Sequence, residues 1–219
     1  MNFEFSDEQI AMKDEVRKLL DKENSLKRNR TILEGEEKFD KDLWNSLVSM
    51  GLTAVTIPEE FGGIGMGYLE LCVIAEELGR AIAPVPYSSS VYLATTAILN
   101  CASDEIKKEF LPKLASGEII GTFAHAESSG FPLEKSINCN FASGKISGTK
   151  AAVPDADIAD FAIVSAKSSS GVGLYLIDLK DANIEITSLD TFDPSRSHAN
   201  IDIKDCLLYT SDAADEFRG

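Results

Sequence analysis

The part of the sequence with the clearest potential for chemistry is the stretch Gly121–Gly130. It opens as an apolar, strand-like run and ends in small polar residues, Ser128 and Ser129, before its final glycine. Exposed backbone N–H groups in a loop of this composition can form a nest that binds an anion. We therefore take this stretch as the centre of a candidate binding site.

Histidine is the side chain best suited to proton transfer near neutral pH, and the chain has 2 histidines, His125 and His198. They lie far apart in sequence, and only His125 belongs to the candidate stretch. For each of them a position in a pocket wall or at the surface is favoured over a role in proton transfer.

Other charged residues admit two interpretations each. Asp155-Ala156-Asp157 with Asp160 resembles a carboxylate cluster, but a solvated turn that leads into the next strand is the preferred interpretation. Arg196 has the charge to meet an anionic ligand, although a salt bridge inside the predicted barrel is favoured. Lys150 can pair with either a carboxylate or a phosphate, and the sequence leaves that choice open.

A second glycine-rich stretch, Pro58–Gly67, places four glycines within six residues. A phosphate-binding loop would need a strand–helix–strand context and a following Lys-Ser or Lys-Thr pair, and neither is present. The pattern therefore predicts a sharp, close-packed turn that uses the small size of glycine.

The elements that must position these residues are of two kinds, and helices come first. Ser6 with Gln9 three residues later forms a capping-box pattern at the start of the first helix. Further apolar stripes at helical spacing continue to about Glu118. Residues 21–38 are charged and lack a clear period, so the sequence predicts a frayed helix end and a loop there.

The pattern changes at Glu118, where short apolar runs separated by Gly, Ser, Asp and Asn predict strands. These runs are Ile119 to Ala124, Ile137 to Phe141, Lys145 to Ser147, Phe161 to Ala166, Leu174 to Asp178, Ile184 to Leu189 and Ala199 to Ile203. Their spacing predicts an antiparallel barrel or sandwich. The expected organisation is an α+β protein with an all-α domain over residues 1–118 and an antiparallel β-barrel over residues 119–205.

Composition excludes several classes of partner. The formal net charge of −15 argues against binding to nucleic acid or to an anionic membrane surface. No run approaches the roughly 18 apolar residues that cross a bilayer, and the N-terminus lacks the parts of a secretion signal. A cytoplasmic location is expected. The 4 cysteines are widely spaced and predict neither a metal site nor a disulfide framework.

The last residues have a different character. Cys206–Gly219 reads as a translated transposon-end sequencing adapter, so it is excluded from the fold prediction. The natural protein is therefore expected to continue past Asp205 with a different sequence.

The order of these segments resembles the acyl-CoA dehydrogenase family. The resemblance rests on a helical half, the Pro58–Gly63 turn, the run Phe110–Glu118 and a β-rich half that follows, and it covers Met1 to about Asp205. It implies an N-terminal helical domain, a middle β-barrel and a C-terminal helical bundle, of which the last is missing here. It also implies FAD as cofactor, an acyl-CoA substrate, an electron-transfer flavoprotein or similar electron acceptor, and a homo- or hetero-oligomer.

The resemblance also implies site residues. The first flavin motif of the family maps onto Phe123, Ala124, His125 and Ala126, and the second maps onto Ala152, Val153 and Pro154. Glu127, Ser128, Ser129 and Gly130 are expected near the phosphates of FAD or CoA, where the family position of Glu127 shapes the site rather than acting as a base. The catalytic glutamate is expected in the missing bundle, so this chain has no catalytic residue of its own.

The motifs depart from the family pattern: Ser128-Ser129-Gly130 replaces a proline-glycine part, no Gly-Ser-Asp follows, and three further positions lose flavin contacts. Ala126 replaces a threonine, Ala152 replaces a tryptophan that covers the flavin, and Pro154 replaces a threonine that donates hydrogen bonds. Two hypotheses follow. The complete protein is a flavin-dependent acyl-CoA dehydrogenase, which the sequence favours, or it is a flavin-poor, non-catalytic structural subunit of a hetero-oligomeric acyl-CoA dehydrogenase.

Overall fold

The computed structural model describes residues 5–35, 37–129 and 133–209. The described residues fall into two compact units. The first unit takes the residues up to Val85 together with Ala115–Gly117, and the second takes Pro86–Leu114 and the residues from Glu118 onward. The second unit therefore holds helical segments as well as all of the strands.

The first unit is helical. Its helices are α1 (Asp7–Glu23), α2 (Leu26–Leu33), α3 (Lys41–Ser49) and α4 (Tyr68–Arg80), with 3-10 turns at Leu52–Ala54 and Glu59–Phe61. The predicted capping box at the start of α1 is confirmed, because the Gln9 N–H donates to Ser6 Oγ and the Ser6 N–H donates to Gln9 Oε1.

The predicted loop over residues 21–38 is wrong, because it contains α2. Ser25 caps this helix by accepting the Arg28 N–H, and the buried Asn29 amide donates to the carbonyl oxygens of Ala81 and Ile82. The two Asn29 bonds reach residues more than fifty positions away, so no local period could have revealed them.

The Pro58–Gly67 stretch is the close-packed turn that the sequence predicted. Gly62 and Gly65 adopt φ values of 81° and 71°, and the Gly65 N–H donates to the Ile57 carbonyl at 2.8 Å. A Cβ atom at Gly63 would lie 1.8 Å from the Ile57 carbonyl oxygen. Glycine is therefore required at Gly63 for space rather than for backbone freedom.

An ion cluster joins α1 to α4. Glu77, whose side chain is 0% exposed, accepts from Arg17 on α1 at 2.6 Å and from Arg80 at 2.7 Å. The hydrogen bond from Arg17, helped by Arg80, lowers the pKa of the Glu77 carboxyl to about 2 against the opposing effect of burial.

The second unit combines helical segments with a seven-stranded sheet. Its helical segments are a π-helix (Ser88–Thr95), α5 (Thr96–Cys101), α6 (Asp104–Ala115, whose last residue is assigned to the first unit) and a 3-10 turn at Glu134–Ser136. Its strands are β1 (Gly121–Ala124), β2 (Asn140–Ala142), β3 (Lys145–Pro154), β4 (Phe161–Ser168), β5 (Gly171–Asp178), β6 (Ile184–Ser188) and β7 (His198–Leu207). Each of the seven predicted strands is present, although β3 extends seven residues beyond its predicted end.

The sheet is mixed and curls into a half-barrel, which corrects the expected antiparallel barrel. The order is β1-β4-β2-β3-β7-β6, with β5 paired to β4. β1 runs parallel to β4, and β2 meets β4 in a short parallel pairing, whereas all other pairs are antiparallel. Residues 161–166 of β4 are buried throughout, as expected for a central strand that is covered on both faces.

β7 extends into the segment that the sequence interpretation excluded. Cys206 lies in β7 and is buried, and the Tyr209 N–H donates to the Leu176 carbonyl at 3.0 Å. Residues 210–219, which complete that segment, lie outside the described residues. Across the part of the chain that the structure describes, no helix has both the length and the apolar character to span a bilayer.

We expect Gly63→Ala to destabilise the first unit by about 3 kcal/mol or more, because the new methyl group collides with the Ile57 carbonyl. Gly62→Ala is the matched control, since its Cβ would meet nothing within 4 Å and only the positive φ is penalised, by about 1 kcal/mol. Urea unfolding followed by the fluorescence of Trp44, the single tryptophan and a buried residue of this unit, measures both. If Gly63→Ala and Gly62→Ala lower the free energy of unfolding equally, the steric explanation is contradicted.

We expect Glu77→Gln to destabilise the same unit by about 3 kcal/mol at neutral pH, since it leaves two arginines without their buried partner. The depressed pKa adds stability that is fully present above pH 4.5 and is lost as the pH falls towards 2. The difference in free energy of unfolding between wild type and Glu77→Gln should therefore become smaller as the pH falls from 4.5 towards 2.

The neighbouring Glu76→Gln is the control for this prediction, because Glu76 is 56% exposed and its ion pair with Lys13 lies at the surface. It should cost less than about 0.5 kcal/mol. If the difference in free energy of unfolding between wild type and Glu77→Gln stays constant down to pH 2, the charge of the carboxylate is not what stabilises the unit.

Candidate functional site

The ends of β1 and β3 come together in the second unit, which places the two predicted flavin motifs side by side. The Ala151 N–H donates to the Ala126 carbonyl at 2.8 Å, and Thr122 Oγ1 donates to the Pro154 carbonyl at 2.6 Å. We refer to Phe123–Ala126 together with Ala152–Pro154 as the wall.

A buried ion pair lies directly behind the wall. Lys150 Nζ and Glu127 Oε1 are 2.7 Å apart, and the two side chains are 0% and 9% exposed. Glu127 also accepts the N–H groups of Asn138 at 2.6 Å and Cys139 at 2.9 Å. Of the two partners that the sequence left open for Lys150, the structure supplies the carboxylate.

These contacts determine the charge of the pair. Burial by itself would raise the pKa of the Glu127 carboxyl, but Lys150 and the N–H groups of Cys139 and Asn138 together lower it below the ordinary value. A carboxylate with three donors is stabilised as the anion and is a poor proton acceptor. The contacts therefore fit the structural role that the sequence interpretation favoured for Glu127.

The ion pair continues through Ser165 to His125. Lys150 Nζ donates to Ser165 Oγ at 3.2 Å and to the His125 carbonyl at 3.2 Å. An ammonium group has only donors, so Ser165 Oγ accepts from it and its own proton is available to His125 Nδ1, 2.9 Å away.

A cavity of about 380 Å³ adjoins this network within the second unit. Its lining combines apolar side chains with the His125–Ser165 couple: Cys101, Phe123, His125, Ser165, Val172, Gly173 and Leu174. His125 is thus a pocket-wall residue, which is the interpretation that the sequence favoured.

The β3 end of the wall has an unusual backbone. Ala152 and Asp155 adopt positive φ values of 49° and 54°, and the β3–β7 register shifts between Lys150 and Val153. The Ala152 N–H donates to Asn200 Oδ1 on β7 at 3.0 Å. Left-handed backbone in residues other than glycine is uncommon and needs support from its surroundings.

Asp155 follows the wall and is buried, which corrects the expected solvated turn. Its carboxylate accepts from Arg196 Nη2 at 2.6 Å and from Ser89 Oγ at 2.5 Å. The salt bridge favoured for Arg196 is therefore confirmed. Asp157 and Asp160 are partly exposed. Asp157 accepts from Ser197 Oγ at 2.7 Å, and the same hydroxyl lies 3.3 Å from Asp155 Oδ1, whereas Asp160 binds Lys180.

The wall residues differ in their exposure. Phe123, His125, Ala126 and Pro154 are half-buried and Ala152 is exposed, whereas the side chains of Ala124 and Val153 are 0% and 2% exposed and belong to the core. Ser128 and Ser129 are exposed after β1. Gly130, the last residue of the expected phosphate-binding stretch, lies outside the described residues.

The sequence interpretation missed three residues that support the wall: Ser165, Asn200 and Ser89. A serine inside the apolar run Phe161–Ala166 was a usable signal, because a buried hydroxyl needs a hydrogen-bond partner. Asn200 and Ser89 gave no such signal, since polar residues are common in strands with one open face and near helix starts.

The chemistry of the wall can be compared with that of FAD. Ala126, Ala152 and Pro154 carry no side-chain donor, proline has no N–H, and the Ala152 N–H is already bound to Asn200. These residues fit the apolar face of an isoalloxazine ring but do not fit its hydrogen-bonding edge. Hydrogen bonds to that edge must come from groups other than these three side chains.

Comparison with known proteins places this geometry in context. A family model described as "Acyl-CoA dehydrogenase, N-terminal domain" matches residues 6–118. The acyl-CoA dehydrogenase FadE27 of Mycobacterium tuberculosis is 31% identical over 157 residues, which cover 71% of this chain and 42% of FadE27.

Two solved structures share the fold. The ChsE4–ChsE5 complex from Mycobacterium tuberculosis superposes with a TM-score of 0.87 at 25% identity, covering 96% of this chain and 57% of that one. The Tcur3481–Tcur3483 steroid ACAD, a G363A variant, gives a TM-score of 0.82 at 28% identity, covering 92% and 56%. The chain thus spans about half the length of the relatives that it matches.

We expect Lys150→Met to destabilise the second unit by about 3–5 kcal/mol, because it leaves the Glu127 carboxylate buried without its cation. Lys204→Met is the matched control. Lys204 and its partner Glu185 are 72% and 66% exposed, so this change should cost less than about 0.5 kcal/mol. Urea unfolding followed by far-UV circular dichroism compares the two, and similar losses would show that the buried pair does not hold this unit together.

Proposed function

This chain belongs to the acyl-CoA dehydrogenase family, and from that we propose that the protein takes part in the α,β-dehydrogenation of an acyl-CoA thioester with FAD as cofactor. The observation that carries the proposal within the structure is the meeting of the two motif segments in one wall, through the Ala151–Ala126 hydrogen bond. The fold and the family membership alone support common ancestry. The meeting of the two motif segments is what supports a flavin-binding site.

The proposed chemistry divides between the cofactor and the protein. FAD, when bound, supplies the acceptor for the hydride that leaves the β carbon. A carboxylate base removes the α proton, and the resemblance places that glutamate in a C-terminal helical bundle. The residues of this chain have binding and orienting roles in this proposal.

Five of the seven wall residues are proposed to contact the flavin ring. Phe123, Ala152 and Pro154 present apolar surface to the flavin ring, and the backbone of Ala124 and Val153 completes that surface. Ser128 and Ser129 are proposed to bind the phosphates of FAD or CoA, and the sequence predicts the same role for Gly130, which lies outside the described residues. Glu127 holds the start of this loop through Asn138 and Cys139 rather than contacting the reacting atoms.

The acyl group is proposed to be bulky or ring-bearing. Ala152 is exposed and stands where the family motif has a tryptophan, so the position offers room that an indole ring would fill. The similarity to a steroid ACAD agrees with a large, rigid acyl group. An electron-transfer flavoprotein or a similar acceptor would remove the electrons from the reduced flavin.

A second candidate function has its own supporting observation. The missing side-chain donors and the engaged Ala152 N–H favour a flavin-poor, non-catalytic subunit whose partner supplies most of the active site. The similarity to the ChsE4–ChsE5 complex supports assembly from two different chains. In this alternative the wall completes or braces a site that another subunit holds.

The decisive experiment restores the missing donors. We expect Ala126→Thr combined with Pro154→Thr to raise the FAD affinity of the purified protein on the order of tenfold, since each new hydrogen bond contributes about 1 kcal/mol. Flavin absorbance after gel filtration measures retention, and dissociation constants come from flavin fluorescence titration. Ala142→Thr, the same change at an exposed site on β2, is the matched control.

Wild-type protein then separates the two candidates. Partial flavin occupancy with acyl-CoA-dependent reduction of a dye acceptor supports the dehydrogenase. A colourless protein that yields an active flavoprotein only when co-expressed with a second dehydrogenase chain supports the partner subunit. Absence of flavin and of acyl-CoA oxidation in both situations would overturn both proposals.

A further inference from the structure

Three consecutive serines open the π-helix Ser88–Thr95, and each has a different partner. Ser88 Oγ accepts from Arg196 Nη1, and Ser90 Oγ accepts the Gly121 N–H of β1 at 3.3 Å. Ser89 Oγ, which is 0% exposed, donates to Asp155 Oδ2 at 2.5 Å. π-helical turns are rare and often mark functional positions.

Asp155 is the residue at which the other elements meet. Its side chain accepts from Ser89 on the π-helix, and from Arg196 and Ser197 just before β7 at 2.6 and 3.3 Å. Its own N–H donates to the Ser197 carbonyl at 2.9 Å. One buried carboxylate thus ties the end of β3 to the π-helix and to the chain that enters β7.

The backbone before Asp155 needs this restraint. Ala152 and Asp155 are both left-handed, and such backbone in residues other than glycine is held only where its surroundings determine it. Asn200 restrains Ala152 through its N–H, and the Asp155 cluster restrains the other end of the turn. Between these two restraints lie Val153 and Pro154 of the wall.

We propose that Asp155 is a positioning residue of the wall. Held by Ser89 and Arg196, it keeps the segment Ala152–Asp155, with its left-handed residues Ala152 and Asp155, in place against the π-helix. Two close donors, Arg196 Nη2 and Ser89 Oγ, hold the carboxylate in place. The effect on turnover rests on the function proposed above, whereas the effect on the turn does not.

The test compares Ser89→Ala with Ser90→Ala by hydrogen–deuterium exchange of the full-length protein. The two serines are neighbours, are both buried and lose the same atom, but only Ser89 contacts Asp155. The readout is exchange in a peptide covering Ala151–Asp155, whose amides include the Ala151, Ala152 and Asp155 donors. A peptide from the β4–β5 hairpin reports global opening.

Ser89→Ala should raise exchange in the Ala151–Asp155 peptide about tenfold and leave the hairpin unchanged. Ser90→Ala should leave the Ala151–Asp155 peptide at its wild-type rate. Asp155→Asn should repeat the effect of Ser89→Ala, since the neutral amide is a weaker partner for Arg196; if it does not fold, Ser89→Ala decides alone. The proposal would be overturned if exchange in the Ala151–Asp155 peptide did not change in Ser89→Ala. It would also be overturned if exchange rose equally in the β4–β5 peptide, or equally in Ser90→Ala.

A kinetic measurement extends the test to the reaction. Where the wild type oxidises an acyl-CoA, Ser89→Ala should lower kcat about tenfold and change KM for the thioester less than about twofold, because a displaced wall misorients bound groups. An unchanged kcat would remove the functional part of the proposal. A wild type that includes the expected catalytic glutamate and still shows no turnover would refute the proposed dehydrogenase activity, while the exchange measurement would still decide the role of Asp155.

Discussion

The site depends first on the buried pair Glu127–Lys150. A charge removed from water must be compensated almost completely, because an unpaired buried ion costs several kcal/mol. The protein meets this demand with two backbone N–H groups on the carboxylate, and with Ser165 and the His125 carbonyl around the ammonium. The pair therefore fixes four segments at once: the end of β1, the chain before β2, the middle of β3, and β4.

The shape of the wall depends on a second constraint, the left-handed backbone of Ala152 and Asp155 at the end of β3. The side chains of Asn200 and Asp155 restrain this segment from its two ends. The same bonds occupy groups that a ligand would otherwise use, above all the Ala152 N–H. The wall is thus well defined in shape but has few hydrogen-bond donors. Its shape supports the proposed flavin site, and its lack of donors supports the alternative of a flavin-poor subunit.

Much of this organisation could be predicted from residue order. The seven strands, the capping box at Ser6, the close-packed turn at Gly63 and the adjacency of the two motifs were all within reach. Each depends on a few neighbouring residues or on a resemblance that preserves their order. The parallel pairing of β1 with β4 was not accessible, because β4 is buried on both faces and its continuous apolar run carries no information about strand direction.

The sequence by itself determined which segments become helix or strand wherever period and capping are local, and it identified the residues whose types limit the chemistry: Ala126, Ala152 and Pro154. Tertiary structure alone decided that residues 26–33 form a helix, that Asp155 is buried, and that Lys150 pairs with Glu127. The physical reason is common to all three. A short charged segment, a carboxylate or an ammonium has no strong local preference, so its state is set by partners that folding brings from distant parts of the chain.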